Sequence, residues 1–189
     1  MTPAFPPAKT RAGLWRRMTR WARREDGTAT VEFVVVVPIL LILFMSSVEA
    51  GFMQLRYVML ERGVDMTVRE LRLGQIHQPT QDKLRNEICR LAMVIPDCVN
   101  SLLVELRPVD TSTWGGMGDT STCINRDEPI APQEPPNFNP GVGDQLMLIR
   151  ACAVFDPIYP TVGLGLQLAK DVGGTYHLVA SSAFVNEPS

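Results

Sequence analysis

The apolar positions of this chain fall into blocks of differing rhythm. From Phe33 to Val48 it reads FVVVVPILLILFMSSV, sixteen residues without a charge. Extended through Glu49 to Met53 the stretch reaches about twenty residues, the length that crosses a bilayer core. Beyond it the apolar residues thin to a stripe, Tyr57, Leu60, Val64, Val68 and Leu71. That spacing is helical, and Glu61, Arg62, Asp65, Arg69, Glu70 and Arg72 occupy much of the rest. Pro38 is the one strong breaker before Gly74. It removes a backbone bond, which membrane helices tolerate. A helix over about 30–73 is therefore predicted, about 65 Å long at about 1.5 Å per residue. Gly74 is its expected C-cap. Only part of such a helix fits in lipid, so its outer half should carry a further domain. The stripe then serves as domain core or as a partner surface, and core is favoured because a small sheet must pack on something. Glu49, near the outer end of the span, either meets a basic residue of a neighbouring helix or reaches the interface.

Downstream the rhythm changes. After Gln78-Pro79-Thr80 a second helix is expected over about 80–94, ending before Pro96. Leu102, Val104 and Leu106 alternate with Leu103, Glu105 and Arg107, as in a strand. Residues 108–144 hold six Pro and five Gly and read as irregular surface, either a tolerated insertion or a loop with a role. Gln145 to Phe155 reads as a strand with Met147, Ile149, Ala151, Ala153 and Phe155 on one face. Tyr176 to Val185 reads as another, entered from a Gly173-Gly174 turn. The expected class is α+β. A long N-terminal transmembrane helix carries a small exported domain with a second helix and about three antiparallel strands. The segments divide as 1–27 before the membrane, 28–53 across it, 54–78 as the helix extension and 79–189 as the domain.

Charge gives the orientation. Residues 1–27 carry seven cations, Lys9, Arg11, Arg16, Arg17, Arg20, Arg23 and Arg24, against Glu25 and Asp26. The remaining 162 residues carry 11 basic and 18 acidic groups, a net of −7. A basic flank ahead of an apolar run stays in the cytoplasm, so everything after about residue 54 is expected outside it. A buried soluble helix or a cleaved signal peptide are the rival readings. The latter wants a shorter apolar core and a small-residue cleavage site, which Ser46-Ser47-Val48-Glu49-Ala50 matches poorly. At a formal charge of −2 the whole chain has no nucleic-acid footprint.

All four cysteines, Cys89, Cys98, Cys123 and Cys152, follow the span. An even count in an exported region suggests two disulfides. A zinc site would prefer tight Cys-x2–4-Cys pairs, and the gaps here are 9, 25 and 29 residues. Nine residues of unbroken helix would hold Cys89 and Cys98 about 13.5 Å apart, beyond disulfide reach. Pro96-Asp97 turns the chain and makes closure possible. The expected pairs are Cys89 with Cys98 and Cys123 with Cys152, the second anchoring the Pro/Gly-rich loop.

The junction before the membrane reads Arg23-Arg24-Glu25-Asp26-Gly27-Thr28-Ala29-Thr30-Val31-Glu32-Phe33. A carboxylate at the edge of hydrocarbon is costly unless partnered. A free α-amine at Thr28, made by a cut after Gly27, would be such a partner. Glycine suits a cut, because a residue without Cβ lets backbone enter a narrow active site. On spacing alone it serves equally as the breaker of an interfacial helix, with Glu32 among the headgroups.

This layout resembles the class III signal peptides of type IV pilins and pseudopilins. The finer pattern G-T-A-T-V-E-F-V-V-V-V-P-I-L-L-I-L-F, followed by Glu49-Ala50-Gly51, resembles the TadE-like pseudopilins of the tight-adherence (Flp) pilus system. The likeness covers about residues 23–57. The ending Ala180-Ser181-Ser182-Ala183-Phe184-Val185-Asn186-Glu187-Pro188 is similar to that family's as well. The resemblance implies cleavage at Gly27–Thr28 by a membrane aspartyl prepilin peptidase, and assembly through Glu32 and Phe33. It implies as partners other pilins and pseudopilins, the prepilin peptidase, the inner-membrane assembly platform and the bilayer. It places the chain in a bacterial inner membrane as a single-pass protein with its C-terminal domain in the periplasm. Phe33, where major Flp pilins usually carry Tyr, and the long exported region favour a minor subunit.

An enzyme is not expected. GxSxG, Walker A, HExxH and the dinucleotide glycine signature are all missing, and Gly163-Leu164-Gly165 reads as a loop. Arg16-Arg17 and Arg23-Arg24 suggest twin-arginine export, but a true span follows. No cofactor or metal is implied. The alternative function is a single-pass, membrane-anchored periplasmic binding or scaffold protein that is never cut.

Overall fold

The computed structural model describes residues 28–115, 117, 121–124, 138–171 and 173–187. Helix α1 runs Thr28–Arg72, 45 residues with Pro38 inside it. Two compact units divide the chain within it, Met1–Phe44 and Met45–Ser189.

In the first unit the described residues are the beginning of α1. Helix α1 as a whole contains an 18-residue window of mean hydropathy 2.6 of which nothing is buried. Length and apolarity fit a membrane anchor.

In the second unit the rest of α1 is amphipathic. Leu60, Val64 and Val68 are buried in the core and Leu71 packs against it, whereas Glu61, Arg62, Asp65 and Arg69 are exposed. The predicted stripe is thus domain core from Leu60 onward. The helix ends in a Schellman turn: Gly74 takes φ 67°, its N–H reaches Leu71 O at 3.0 Å, and the Gln75 N–H reaches Glu70 O at 3.0 Å. Helix α2, Gln81–Leu91, is capped by the Thr80 side chain, which accepts the Lys83 N–H. It buries Leu84 and Ile88. A Cβ on Gly63 would stand 3.1 Å from Ile88 O and 3.3 Å from Ala92 Cβ, so glycine lets α1 approach this chain segment closely.

A short helix α3, Cys98–Ser101, leads into β1, Leu102–Pro108. Strand β2 is Leu146–Phe155. A five-residue helix α4, Gly163–Gln167, precedes β3, Tyr176–Val185. The sheet order is β1-β2-β3, antiparallel throughout, with Val104 opposite Ala151 and Ala151 opposite Ala180. One sheet face, Leu102, Val104, Leu106, Met147, Ile149, Ala151, Ala153, Phe155, Tyr176, Ala180 and Phe184, joins Leu60, Val64, Val68, Leu84 and Ile88 in one core. The class is α+β, helices on one side of a three-stranded sheet.

Three features depart from the pattern-based expectation. Residues 163–167 form helix α4 where a plain loop is predicted. The alternation in β1 hides no wet face, since Leu103 and Glu105 are buried along with their neighbours. Glu49 does not stand out from the helix surface: it is 1% exposed, folded into its own unit.

Candidate functional site

Glu32 and Phe33 lie in the second turn of α1, both exposed, Phe33 by 66%. Thr28 is the first residue of that helix. Gly27 lies outside the described residues. Thr28 and Glu32 are four positions apart, so they occupy the same helix face about 6 Å apart along the axis. Around them the surface is apolar on every side, with Val31, Val34, Val35, Ile39, Leu40, Leu43 and Phe44 all exposed. A helix apolar all round and buried by none of its own chain is built for lipid or for other helices.

Residues 27–69 match the TadE-like protein family. The likeness is confined to that segment of the 189-residue chain. No curated protein and no solved structure matches the chain. The TadE-like segment begins at Gly27 and takes in Glu32, Phe33 and the part of α1 that reaches Arg69.

The middle of the TadE-like segment, within the second unit, is tied to the rest of that unit by polar contacts. Glu49 accepts the Ile158 N–H at 3.1 Å through Oε1 and the Tyr159 N–H at 2.9 Å through Oε2. Ser46 Oγ accepts the Leu164 N–H at 3.2 Å. Two turns on from Glu49, Arg56 donates to the Tyr176 hydroxyl at 2.8 Å and to Asp156 O, and its guanidinium lies 5.0 Å from the Phe155 ring centroid. The phenol of Tyr176 is raised above its ordinary value, chiefly by burial, and the Arg56 bond works against that rise. Arg56, Pro96, Asp97, Phe155 and Asp156 line a cleft of about 330 Å³. Its two acids flank one cation, so it offers no concentrated charge to a ligand. Sequence reasoning passed over Arg56, whose role depends on residues 100 and 120 positions away.

The cysteines hold the domain elsewhere. Cys89 at the end of α2 is bonded to Cys98 with Cα atoms 5.6 Å apart, across a turn in which Asp97 takes φ 46°. Cys123 is bonded to Cys152 of β2, Cα atoms 5.3 Å apart. The described part of the long loop is pinned on the same sheet face by two more contacts. The Thr122 N–H donates to Glu105 Oε1 at 2.9 Å, and the Arg150 guanidinium donates to Met117 O. Glu105 is 2% exposed, so the loop covers it. Further along, Asn139 N–H reaches Leu106 O at 2.6 Å, where Phe138 forms a parallel bridge to Leu106. The loop start is an Asx turn: Asp110 accepts from the Ser112 N–H and hydroxyl and from Thr113, which holds its carboxyl below the usual range. Among the described residues no three His, Cys, Asp or Glu side chains converge as metal ligands.

Proposed function

We propose that this chain is a minor pilin or pseudopilin that serves biogenesis or assembly of a tight-adherence pilus. A prepilin peptidase cuts it after Gly27, Thr28 becomes the new N-terminus, and Glu32 with Phe33 engages other pilins and the inner-membrane assembly platform. Residues 1–27 are the cytoplasmic leader, 28–53 the membrane helix, 54–78 its periplasmic extension and 79–189 the periplasmic domain. The role is structural, without catalysis or cofactor.

The observation that carries this reading is the TadE-like match, which begins at Gly27 and takes in the Glu32 carboxylate, exposed at the head of the apolar run. A fresh amine at Thr28 would add a full positive charge that an acid in a low-dielectric setting can pair with. The disulfides Cys89–Cys98 and Cys123–Cys152 accord with an oxidising exterior.

N-terminal sequencing and intact mass of the membrane-extracted protein test it. A chain starting at Thr28 is expected, and Gly27→Val leaves the full 189 residues in the membrane. Glu32→Ala is still inserted and cut but fails to crosslink to partner subunits. Glu32→Gln, which keeps shape and loses charge, behaves as Glu32→Ala does if the ion pair matters. A wild-type chain that is never cut at Gly27 supports the uncut anchored scaffold instead.

A further inference from the structure

The connection from β2 to β3 carries an apolar surface with no charge in it. From Pro157 to Ala169 there is no Asp, Glu, Lys, Arg or His, although Asp156 and Lys170 stand at its two ends. A surface connection of that length is ordinarily polar. Here Ile158 is 39% and Leu166 61% exposed, with Tyr159, Val162, Leu164 and Leu168 partly so.

Five of its backbone N–H groups have partners in its own turns or on α1. Pro157 and Pro160 have no N–H. The N–H groups of Ile158 and Tyr159 go to Glu49 and that of Leu164 to Ser46. Val162 N–H reaches Tyr159 O at 3.4 Å and Leu168 N–H reaches Leu164 O at 3.1 Å. The segment also closes tightly on itself, since a Cβ on Gly165 would stand 2.2 Å from Tyr159 O. Non-helical backbone survives at membrane depth only when its polar groups are satisfied in this way.

The residues it grips fix its level along α1. Ser46 comes two positions, about 3 Å of rise, after Phe44, the last residue of the exposed apolar run. The uncharged stretch Phe33–Val48 of sixteen residues spans about 24 Å, about 6 Å less than a hydrocarbon core of about 30 Å. Hydrocarbon that begins near Phe33 therefore extends to, or past, the turn that Leu164 and Tyr159 touch.

We propose that residues 157–168 are an interfacial foot through which the domain rests on the lipid surface. Ile158 and Leu166 insert where the acyl chains join the headgroups, and Tyr159 sits at headgroup level, as aromatic residues do at membrane boundaries. Glu49 is then a buried bracket: its carboxylate satisfies two backbone N–H groups at a depth where water is scarce. This assignment rests on α1 being a membrane anchor.

Site-directed nitroxide labelling of the full chain in vesicles of phosphatidylethanolamine and phosphatidylglycerol tests it, with the native cysteines kept in their disulfides. Labels replace Ile158 and Leu166 in turn. Ile39 in the apolar run is the lipid reference, and Met93, 82% exposed, is the water reference. The ratio of collision with oxygen to collision with a nickel chelate is expected to be several-fold higher at 158 and 166 than at 93, and closer to that at 39. Leu166→Asp is expected to lower the ratio at 158. If 39 reads as lipid while 158 and 166 read as water, the foot is overturned and the anchor stands. A water reading at 39 removes the anchor and the foot together. Labels at 158 and 166 shielded from both reagents mean that protein, such as a second copy, covers the segment, which also overturns the proposal.

Discussion

Helix α1 shows two kinds of surface along one element. Between Val31 and Phe44 nearly every apolar side chain is exposed, with no preferred face. Between Leu60 and Val68 the apolar residues retreat to one face, four positions apart, and the charged ones take the other. The first shows apolarity alone, as a helix in a bilayer would. The second needs periodicity, because a sheet lies on one side and water on the other. A substitution should therefore be judged by which surface it falls on, even when residue type and secondary structure are the same.

The sharpest way to break this comparison is one substitution made twice. Leu60→Ala opens a cavity in the core and is expected to cost the domain about 4 kcal/mol. Leu40→Ala is expected to leave denaturant unfolding of the same extracted protein unchanged. Equal losses at the two positions would erase the distinction.

The disulfides come next, and they differ from each other. Replacing Cys123 and Cys152 by Ser frees a bond across 29 positions, whereas Cys89 and Cys98 are nine apart. Chain-entropy arithmetic assigns about 3.5 kcal/mol to the first and about 2.5 kcal/mol to the second. Thermal unfolding of the two double variants, read against the intact protein, measures the order.

Two acids on α1 give the third comparison. Glu49→Ala leaves the N–H groups of Ile158 and Tyr159 without their acceptor and is expected to cost about 2–3 kcal/mol. Glu32→Ala touches nothing in the domain and is expected to leave its stability alone while it disturbs assembly. Protease resistance of the Met45–Ser189 unit separates the two.

The smallest effect lies with two glycines of the same helix. At Gly51 a Cβ meets nothing within 4 Å, so Gly51→Ala is expected to stabilise by about 0.5–1 kcal/mol. At Gly63 the same gain is offset by the close approach of Ile88 O and Ala92, and the net change is expected near zero. A thermal shift seen at 51 and missing at 63 sharpens the contrast.

Much of this fold could be read from local pattern, because its larger elements bury a continuous face. The 3–4 spacing from Leu60 to Val68 and the alternation from Met147 to Phe155 point to the core residues directly. What local pattern missed has one physical cause. Helix α3, Cys98–Ser101, is shorter than two turns, and α4, Gly163–Gln167, has glycine at two of its five positions, so neither shows a period. The burial of Leu103 and Glu105 depends on a loop folded over the sheet, and that of Glu49 on backbone more than a hundred positions away. Contacts of that kind leave no local mark. At the candidate site, the spacing of Gly27, Glu32 and the apolar run could be read at once, since it is contained in the 22 consecutive residues from Gly27 to Val48. Arg56, bonded to Tyr176, could not.

The bracket made by Glu49 has a consequence for the order of events during synthesis. The helix that bears it emerges early, but the N–H groups it binds belong to residues 109 and 110 positions later. Until they arrive, the Glu49 carboxylate lacks the two donors that hold it in the folded unit. Contacts between such distant parts of a chain form slowly, because loop closure comes before any reward. The packing of this turn of α1 is therefore completed late, by the last third of the chain.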